Sequence, residues 1–322
     1  MRSAARYFLV SMALVAVILA GCSENTTAPG GDASATLRAY LEDNDLDLPD
    51  ILTSWTILAS EVETNPAAYY IMDIRPDTTY ARGHIAGAVN STLGDILDDA
   101  ANSGGKPIVV ACLTGQSAGH AMLALRLSGY PDARILKWGM SSWNEDFDKW
   151  TANTASIAVG HSNWSMDATP SPGTYDYPTL ITTATDGPGI LAERVEEMLS
   201  GGFKGVEPDD VLESPGDYYI NLYWEEDDVT TFGHIDGAYR IQPLSLAGDT
   251  FKHYDPDETV VTYCWTGQTS SVITAYLNIL GYDARSLKFG ANALIYSELT
   301  KQYWEGSEDF EYTVSSLASM AE

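Results

Sequence analysis

The chain has 322 residues, 45% of them hydrophobic, enough for packed cores and more than one domain of ordinary size. With 17 Lys and Arg against 45 Asp and Glu, its formal charge is -28 at neutral pH. Such a surface repels nucleic acid phosphates and anionic lipid headgroups, which excludes both as non-specific partners; an anionic substrate must be drawn in by local dipoles. The five histidines are scattered, and neither Cys-x-x-Cys nor a paired histidine motif occurs, so no metal and no cofactor is expected.

In chain order, Arg2 and Arg6 precede an apolar run, Tyr7 to Ala20, that is short for a bilayer span and suited to a signal peptide. It ends in Leu19-Ala20-Gly21-Cys22, which resembles the bacterial lipobox and implies export, lipidation of Cys22 and membrane attachment through that lipid. Serine rather than aspartate follows the cysteine, which favours the outer membrane of the cell envelope. The next residues are rich in Ser, Thr, Gly and Pro, a flexible tether. The expected organisation is a signal peptide over 1–21, the tether over 22–36, a first domain over 37–152, a linker over 153–183 and a second domain over 184–322.

The two domains follow from an internal repeat. Lys106-Pro-Ile-Val-Val-Ala-Cys-Leu-Thr-Gly-Gln-Ser-Ala118 parallels Glu258-Thr-Val-Val-Thr-Tyr-Cys-Trp-Thr-Gly-Gln-Thr-Ser270. Each copy reads as a buried strand of β-branched residues ending at its cysteine, then a Thr-Gly-Gln turn, then a helix. The helices are expected over 117–127 and 269–280, stopped by Gly129 and Gly281. Upstream, Ala81-Arg-Gly-His-Ile-Ala-Gly-Ala-Val-Asn90 parallels Thr231-Phe-Gly-His-Ile-Asp-Gly-Ala-Tyr-Arg240; downstream, Ala133-Arg-Ile-Leu-Lys-Trp-Gly139 parallels Ala284-Arg-Ser-Leu-Lys-Phe-Gly290. Strands alternating with helices predict an α/β fold with a parallel sheet covered on both faces. In such sheets ligands bind beyond the carboxyl ends of the strands, where Cys112 and Cys264 fall.

A cysteine between a strand end and a helix start lies under several backbone N–H groups and the positive helix end, which favour thiolate over thiol. The same amides suit an anion. Gly115 and Gly267 suit positive φ, and Ser117 and Thr269 suit a helix cap whose hydroxyl also faces the anion.

Each unit resembles a rhodanese domain, on Asp73-Ile74-Arg75, Gly83-His84-Ile85-Ala86-Gly87-Ala88, the loop Cys112 to Ala118 and Leu136-Lys-Trp-Gly-Met-Ser-Ser-Trp143. The resemblance implies two tandem domains, each a five-stranded parallel sheet with helices on both faces. It also implies a sulfurtransferase, in which cysteine takes a sulfane sulfur as a persulfide and passes it to a thiol or other nucleophile. Cys112 and Cys264 match the nucleophiles. The pocket positions are Leu113, Thr114, Gly115, Gln116, Ser117 and Ala118, and Trp265, Thr266, Gly267, Gln268, Thr269 and Ser270. Asp73, Arg75, His84 and His234 match supporting positions. Neither loop carries the Arg or Lys common in members that use thiosulfate, so a polysulfide or organic persulfide fits better as donor. Asn221-Leu222-Tyr223 and Leu294 depart from Asp73-Ile74-Arg75 and Trp143.

A phosphatase of related loop type needs an arginine where Ala118 and Ser270 stand, and is rejected. A non-catalytic rhodanese-like module that assembles with an envelope or redox partner is the competing reading.

Overall fold

The computed structural model describes residues 32–315. The expected signal peptide, lipidation site Cys22 and most of the tether lie outside the described residues. The tether does not extend to residue 36. Asp32 accepts from the Ser34 and Ala35 N–H groups and caps helix α1 (Ala33–Asp43).

Domain 1 continues through α2 (Leu48–Ile51), β1 (Thr56–Ile57), α3 (Ala59–Thr64), β2 (Tyr70–Asp73), α4 (Asp77–Arg82), β3 (Val89–Asn90), α5 (Ile96–Ala100), β4 (Ile108–Ala111), α6 (Ser117–Leu127) and β5 (Arg134–Leu136). Its sheet is five-stranded and parallel, in the order β1-β5-β4-β2-β3. After β6 (Trp164–Ser165), domain 2 runs through α7 (Gly187–Ser200), β7 (Gly205–Val206), α8 (Pro208–Glu213), β8 (Tyr219–Leu222), α9 (Glu226–Phe232), β9 (His234–Ile235), β10 (Val260–Tyr263), α10 (Gln268–Leu280), β11 (Ala284–Leu287) and α11 (Ala291–Leu294).

The second sheet corrects the expectation of five strands. It has four, in the order β7-β11-β10-β8, with a single parallel bridge between Asn221 and Tyr239 at the fifth position. The cause is a side chain. In domain 1 the Ser91 N–H donates to the Asp73 carbonyl and extends the ladder. At the matching place the Ile241 N–H donates to the Asn221 side-chain oxygen at 2.9 Å, and Pro243 soon after has no N–H to offer.

Strands β4 and β10, Ile-Val-Val-Ala and Val-Val-Thr-Tyr, are buried at every position, as strands covered on both faces must be. Alternate side chains divide between cores. Met72, Val110 and Cys112 from the first sheet, and Tyr219, Val260 and Ala284 from the second, face one common core with α1, α6, α7 and α10. The opposite faces, with Ile71 and Val109 or Ile220 and Val261, form separate outer cores. One helical layer therefore serves both sheets. Helices α6 and α10 cross where Gly119 meets Ser271, so closely that a Cβ on Gly119 would lie 2.8 Å from the Ser271 hydroxyl.

The segment expected as a linker over 153–183 is a strap across domain 2. Ala155 and Ala158 donate to Asn292 and Leu294, and β6 pairs antiparallel with β9. The C-terminal segment returns the arrangement to domain 1. Glu308 and Phe310 donate to Ser142 and Trp143, and His84 and Thr313 exchange backbone hydrogen bonds. Both straps cross at the Gly-His-Ile motif, and glycine leaves them room: a Cβ on Gly83 would lie 2.4 Å from Phe147 and 2.6 Å from Tyr312. Gly83→Ala should therefore cost about 1–3 kcal/mol of stability through overpacking, and make the 307–315 segment sensitive to protease. Urea denaturation and limited proteolysis check this; unchanged values for both would contradict the packing.

Candidate active site

Each cysteine sits at the carboxyl end of a central strand, and the helix that follows starts within a few residues. Cys112 is 3% exposed and Cys264 2%, and both are free thiols. The Gly115 N–H donates to Cys112 Sγ at 3.1 Å. The Ser270 N–H donates to Cys264 Sγ at 3.4 Å, and that sulfur also lies 3.6 Å from the Ser270 hydroxyl. Ser270 Oγ is in turn 2.8 Å from Ser286 Oγ, a buried polar pair beneath the second sulfur. Domain 1 has Ala118 and Ile135 at those places, both fully buried, so Cys112 rests on apolar atoms.

A turn clamps each loop from behind. Trp138 and Gly139 both take positive φ, and so do Phe289 and Gly290. This conformation directs successive N–H groups at the cysteine loop: Met140 donates to the Cys112 carbonyl at 2.8 Å and Ser141 to Leu113 at 3.0 Å. Ala291 and Asn292 donate likewise to the Cys264 and Trp265 carbonyls. Glycine is required at both turns, because a Cβ would lie 2.5 Å from the Cys112 carbonyl or 2.2 Å from that of Cys264. The left-handed Trp138 and Phe289 cost about 1–2 kcal/mol each. Aromatic packing offsets it: Trp150 lies edge-on to Trp138 at 4.7 Å and to Phe289 at 5.0 Å.

The pocket positions read from the sequence divide by environment. Leu113, Thr114, Ser117, Trp265 and Thr269 are half-buried; Gly115, Gln116, Ala118, Thr266, Gly267, Gln268 and Ser270 are buried. Trp265 is stacked on Trp224 with ring centres 4.1 Å apart, and Lys301 lies over its ring at 5.1 Å. Ser117 and Thr269 make no side-chain cap. Gln116 and Gly267 occupy the cap positions, which places both hydroxyls inside the first helical turn. Gln116 and Gln268 each reach into the opposite domain, and Gln116 Nε2 also donates to Thr114 Oγ1 of its own loop at 3.0 Å.

Asp73 and Arg75 form a buried ion pair, with Arg75 Nη2 2.6 Å from Asp73 Oδ2 and also donating to the Gly83 carbonyl. It ties the strand end to the Gly-His-Ile turn rather than to a sulfur. The strand registers correct the alignment of Asn221-Leu222-Tyr223 with Asp73-Ile74-Arg75 by one residue: Leu222 and Trp224 stand where Asp73 and Arg75 do, and Asn221, at the place of Met72, donates from Nδ2 to the Tyr254 hydroxyl at 2.7 Å. His84 stacks on Tyr80, and its Nδ1 is 3.0 Å from the Tyr80 carbonyl. His234 lies with Nδ1 2.8 Å from the Ile235 carbonyl and Nε2 2.9 Å from that of Asp167 on the strap. Both rings hold backbone.

A cleft of about 510 Å³ borders the turn behind the Cys112 loop, lined by Leu58, Lys137, Trp138, Ser142, Lys301 and Trp304 among others; neither cysteine lines it. Burial pushes the Lys137 ammonium below its ordinary value, against an opposing pull from Glu305. Among the described residues no cluster of His, Cys, Asp and Glu could hold a metal ion, and no helix is long and apolar enough to cross a membrane.

Residues 54–146 and 217–295 match the family model of the rhodanese-like domain. The chain belongs to that family and carries the domain in tandem. The thiosulfate sulfurtransferase GlpE of Pseudomonas fluorescens is 34% identical over 95 residues, 29% of this chain and 80% of the relative. The protein of the same name from Shewanella oneidensis is 33% identical over 85 residues, 26% of this chain and 82% of the relative. Among solved structures, a rhodanese-related protein from Thermoplasma volcanium is 24% identical with a TM-score of 0.26, covering 28% of this chain and 91% of that one. A rhodanese-like domain protein from Staphylococcus aureus is 22% identical with a TM-score of 0.24, covering 26% and 86%.

His120, which the sequence reading passed over, lies in α6 where that helix meets α10. Its Nδ1 is 3.0 Å from Ser271 Oγ, and its buried Nε2 has no hydrogen-bond partner. Burial, with Lys204 nearby, lowers its pKa to about 3. An unfolded chain protonates this ring near pH 6.5, so stability falls as pH drops from there towards about 3, by about 1.4 kcal/mol per unit. His120→Gln should remove this contribution. The difference in unfolding free energy between variant and wild type is expected to shift by about 2–3 kcal/mol from pH 6.5 to 4.5; a constant difference would contradict it.

Proposed function

We propose that the protein is a rhodanese-type sulfurtransferase acting through persulfides on Cys112 and Cys264, held at the cell envelope by a lipid on Cys22. One observation carries the catalytic part: in both domains a lone thiol at the strand–helix junction receives a backbone N–H on its sulfur, from the loop at Cys112 and from the first turn of α10 at Cys264. A thiolate there attacks the outer sulfur of a small sulfane donor. The S–S bond of the donor breaks, its remainder leaves with the electron pair, and the cysteine becomes a persulfide anion. An incoming thiolate or other nucleophile takes the terminal sulfur and restores the cysteine thiolate. Backbone N–H groups at a helix start stabilise both anions without a side-chain cation. Neither loop supplies one, which favours a polysulfide or organic persulfide over thiosulfate as donor.

Treating the protein with polysulfide, mercaptopyruvate and thiosulfate should add the mass of one sulfur to the peptide of Cys112 or Cys264. The signal should disappear in the double variant Cys112→Ser, Cys264→Ser. No added sulfur from any donor would defeat the proposal. The deep burial of both thiols favours the competing reading, a non-catalytic module with an envelope partner. That reading expects the double variant to keep its partner and its cellular role.

The lipid is checked separately. Cells fed a labelled fatty acid should label the protein and recover it with membranes, and Cys22→Ala should abolish both. Label retained by the variant would refute attachment at Cys22.

A further inference from the structure

We infer that Gln116 and Gln268 are reciprocal positioning residues, each holding shut the cysteine loop of the other domain. Gln268 leaves the Cys264 loop and donates from Nε2 to the Thr114 carbonyl at 2.9 Å. It lies against Gly115, the residue whose N–H reaches Cys112 Sγ: a Cβ there would be 2.4 Å from Gln268 Nε2. Gln116 makes the reverse reach. Its Oε1 accepts from the Phe289 N–H at 2.8 Å, in the turn that clamps the Cys264 loop, and lies against Gly267, where a Cβ would be 2.5 Å away. The two amides are 3% and 2% exposed. Ser271 Oγ joins them to the helix crossing by donating to the Gln116 carbonyl.

Each glutamine therefore stands where a ligand approaching the neighbouring loop would press. A group added to either sulfur must displace its loop, and that displacement pulls on the bonds which keep the other loop in place. The Thr-Gly-Gln triplet is thus read across the domain boundary: glycine is needed in each loop because the other domain's glutamine occupies the space of a side chain. This deepens the sulfurtransferase reading by assigning what controls access to each thiol.

Site-resolved alkylation of the purified protein by iodoacetamide tests it. No sulfur donor is involved, so its outcome is separable from that of the persulfide experiment. Gln268→Ala should speed reaction at Cys112 about five- to tenfold, as loss of one buried hydrogen bond allows, and alter Cys264 far less; Gln116→Ala should speed Cys264 by a similar factor, with a smaller rise at Cys112 from the lost bond to Thr114 Oγ1. A variant that only loosens the fold raises both rates together, so the ratio of rates isolates the clasp. Equal effects, or effects confined to the cysteine of the same domain, would overturn the inference. Wild-type protein gives a second readout that needs no variant. Reaction at one cysteine should speed the other, so the singly alkylated form stays scarce; accumulation at the level of independent sites would equally overturn it.

Discussion

Helix α6 crosses α10 with Gly119 set against Ser271, and the rest of the molecule is arranged around that contact. Every residue of α6 from Ala118 to Leu127 is buried, and so is nearly all of α10. A helix apolar on all sides must be covered on all sides, and one sheet covers only half of it. Each domain thus completes the burial of the other's central helix. Glycine at the crossing is what lets the two backbones approach this far.

Other contacts run in the same direction. The carboxylate of Asp47, before domain 1's first strand, accepts from Ser245 Oγ and the Leu246 N–H of domain 2. The two straps are exchanged, the segment after domain 1 lying on domain 2 and the segment after domain 2 on domain 1. Buried amide and carboxylate groups pay heavily for lost partners, so separating the halves would cost polar as well as apolar contacts. The two cysteine loops are tied to each other beside this crossing, through Gln268 on the Thr114 carbonyl and Gln116 on the Phe289 N–H.

Much of this was legible in the sequence because it is local. The Ile-Val-Val-Ala and Val-Val-Thr-Tyr runs marked the central strands, and Gly129 and Gly281 marked the ends of α6 and α10; both glycines have positive φ. The repeat gave the tandem arrangement and paired the two cysteines. What was hidden depends on partners distant in sequence. Ser, Pro and Gly in the segment over 153–183 read as a linker, since nothing local shows that Trp164 and Ser165 pair with Ile235 and His234. The glutamines read as residues of their own pockets because a loop motif shows order along the chain but not which domain a side chain enters. Asn221 was visible, but the strand registers set it at the place of Met72 and Leu222 at that of Asp73, and its consequence, an N–H diverted from the ladder, requires knowing that Ile241 lies alongside.

Native-state hydrogen exchange on α6 and α10 tests the shared layer most directly. If each helix is half of a single core, their slowest amides should open with one common free energy, equal to that of global unfolding. Two distinct opening energies, one for each helix with its own sheet, would show domains that unfold independently and would contradict this account.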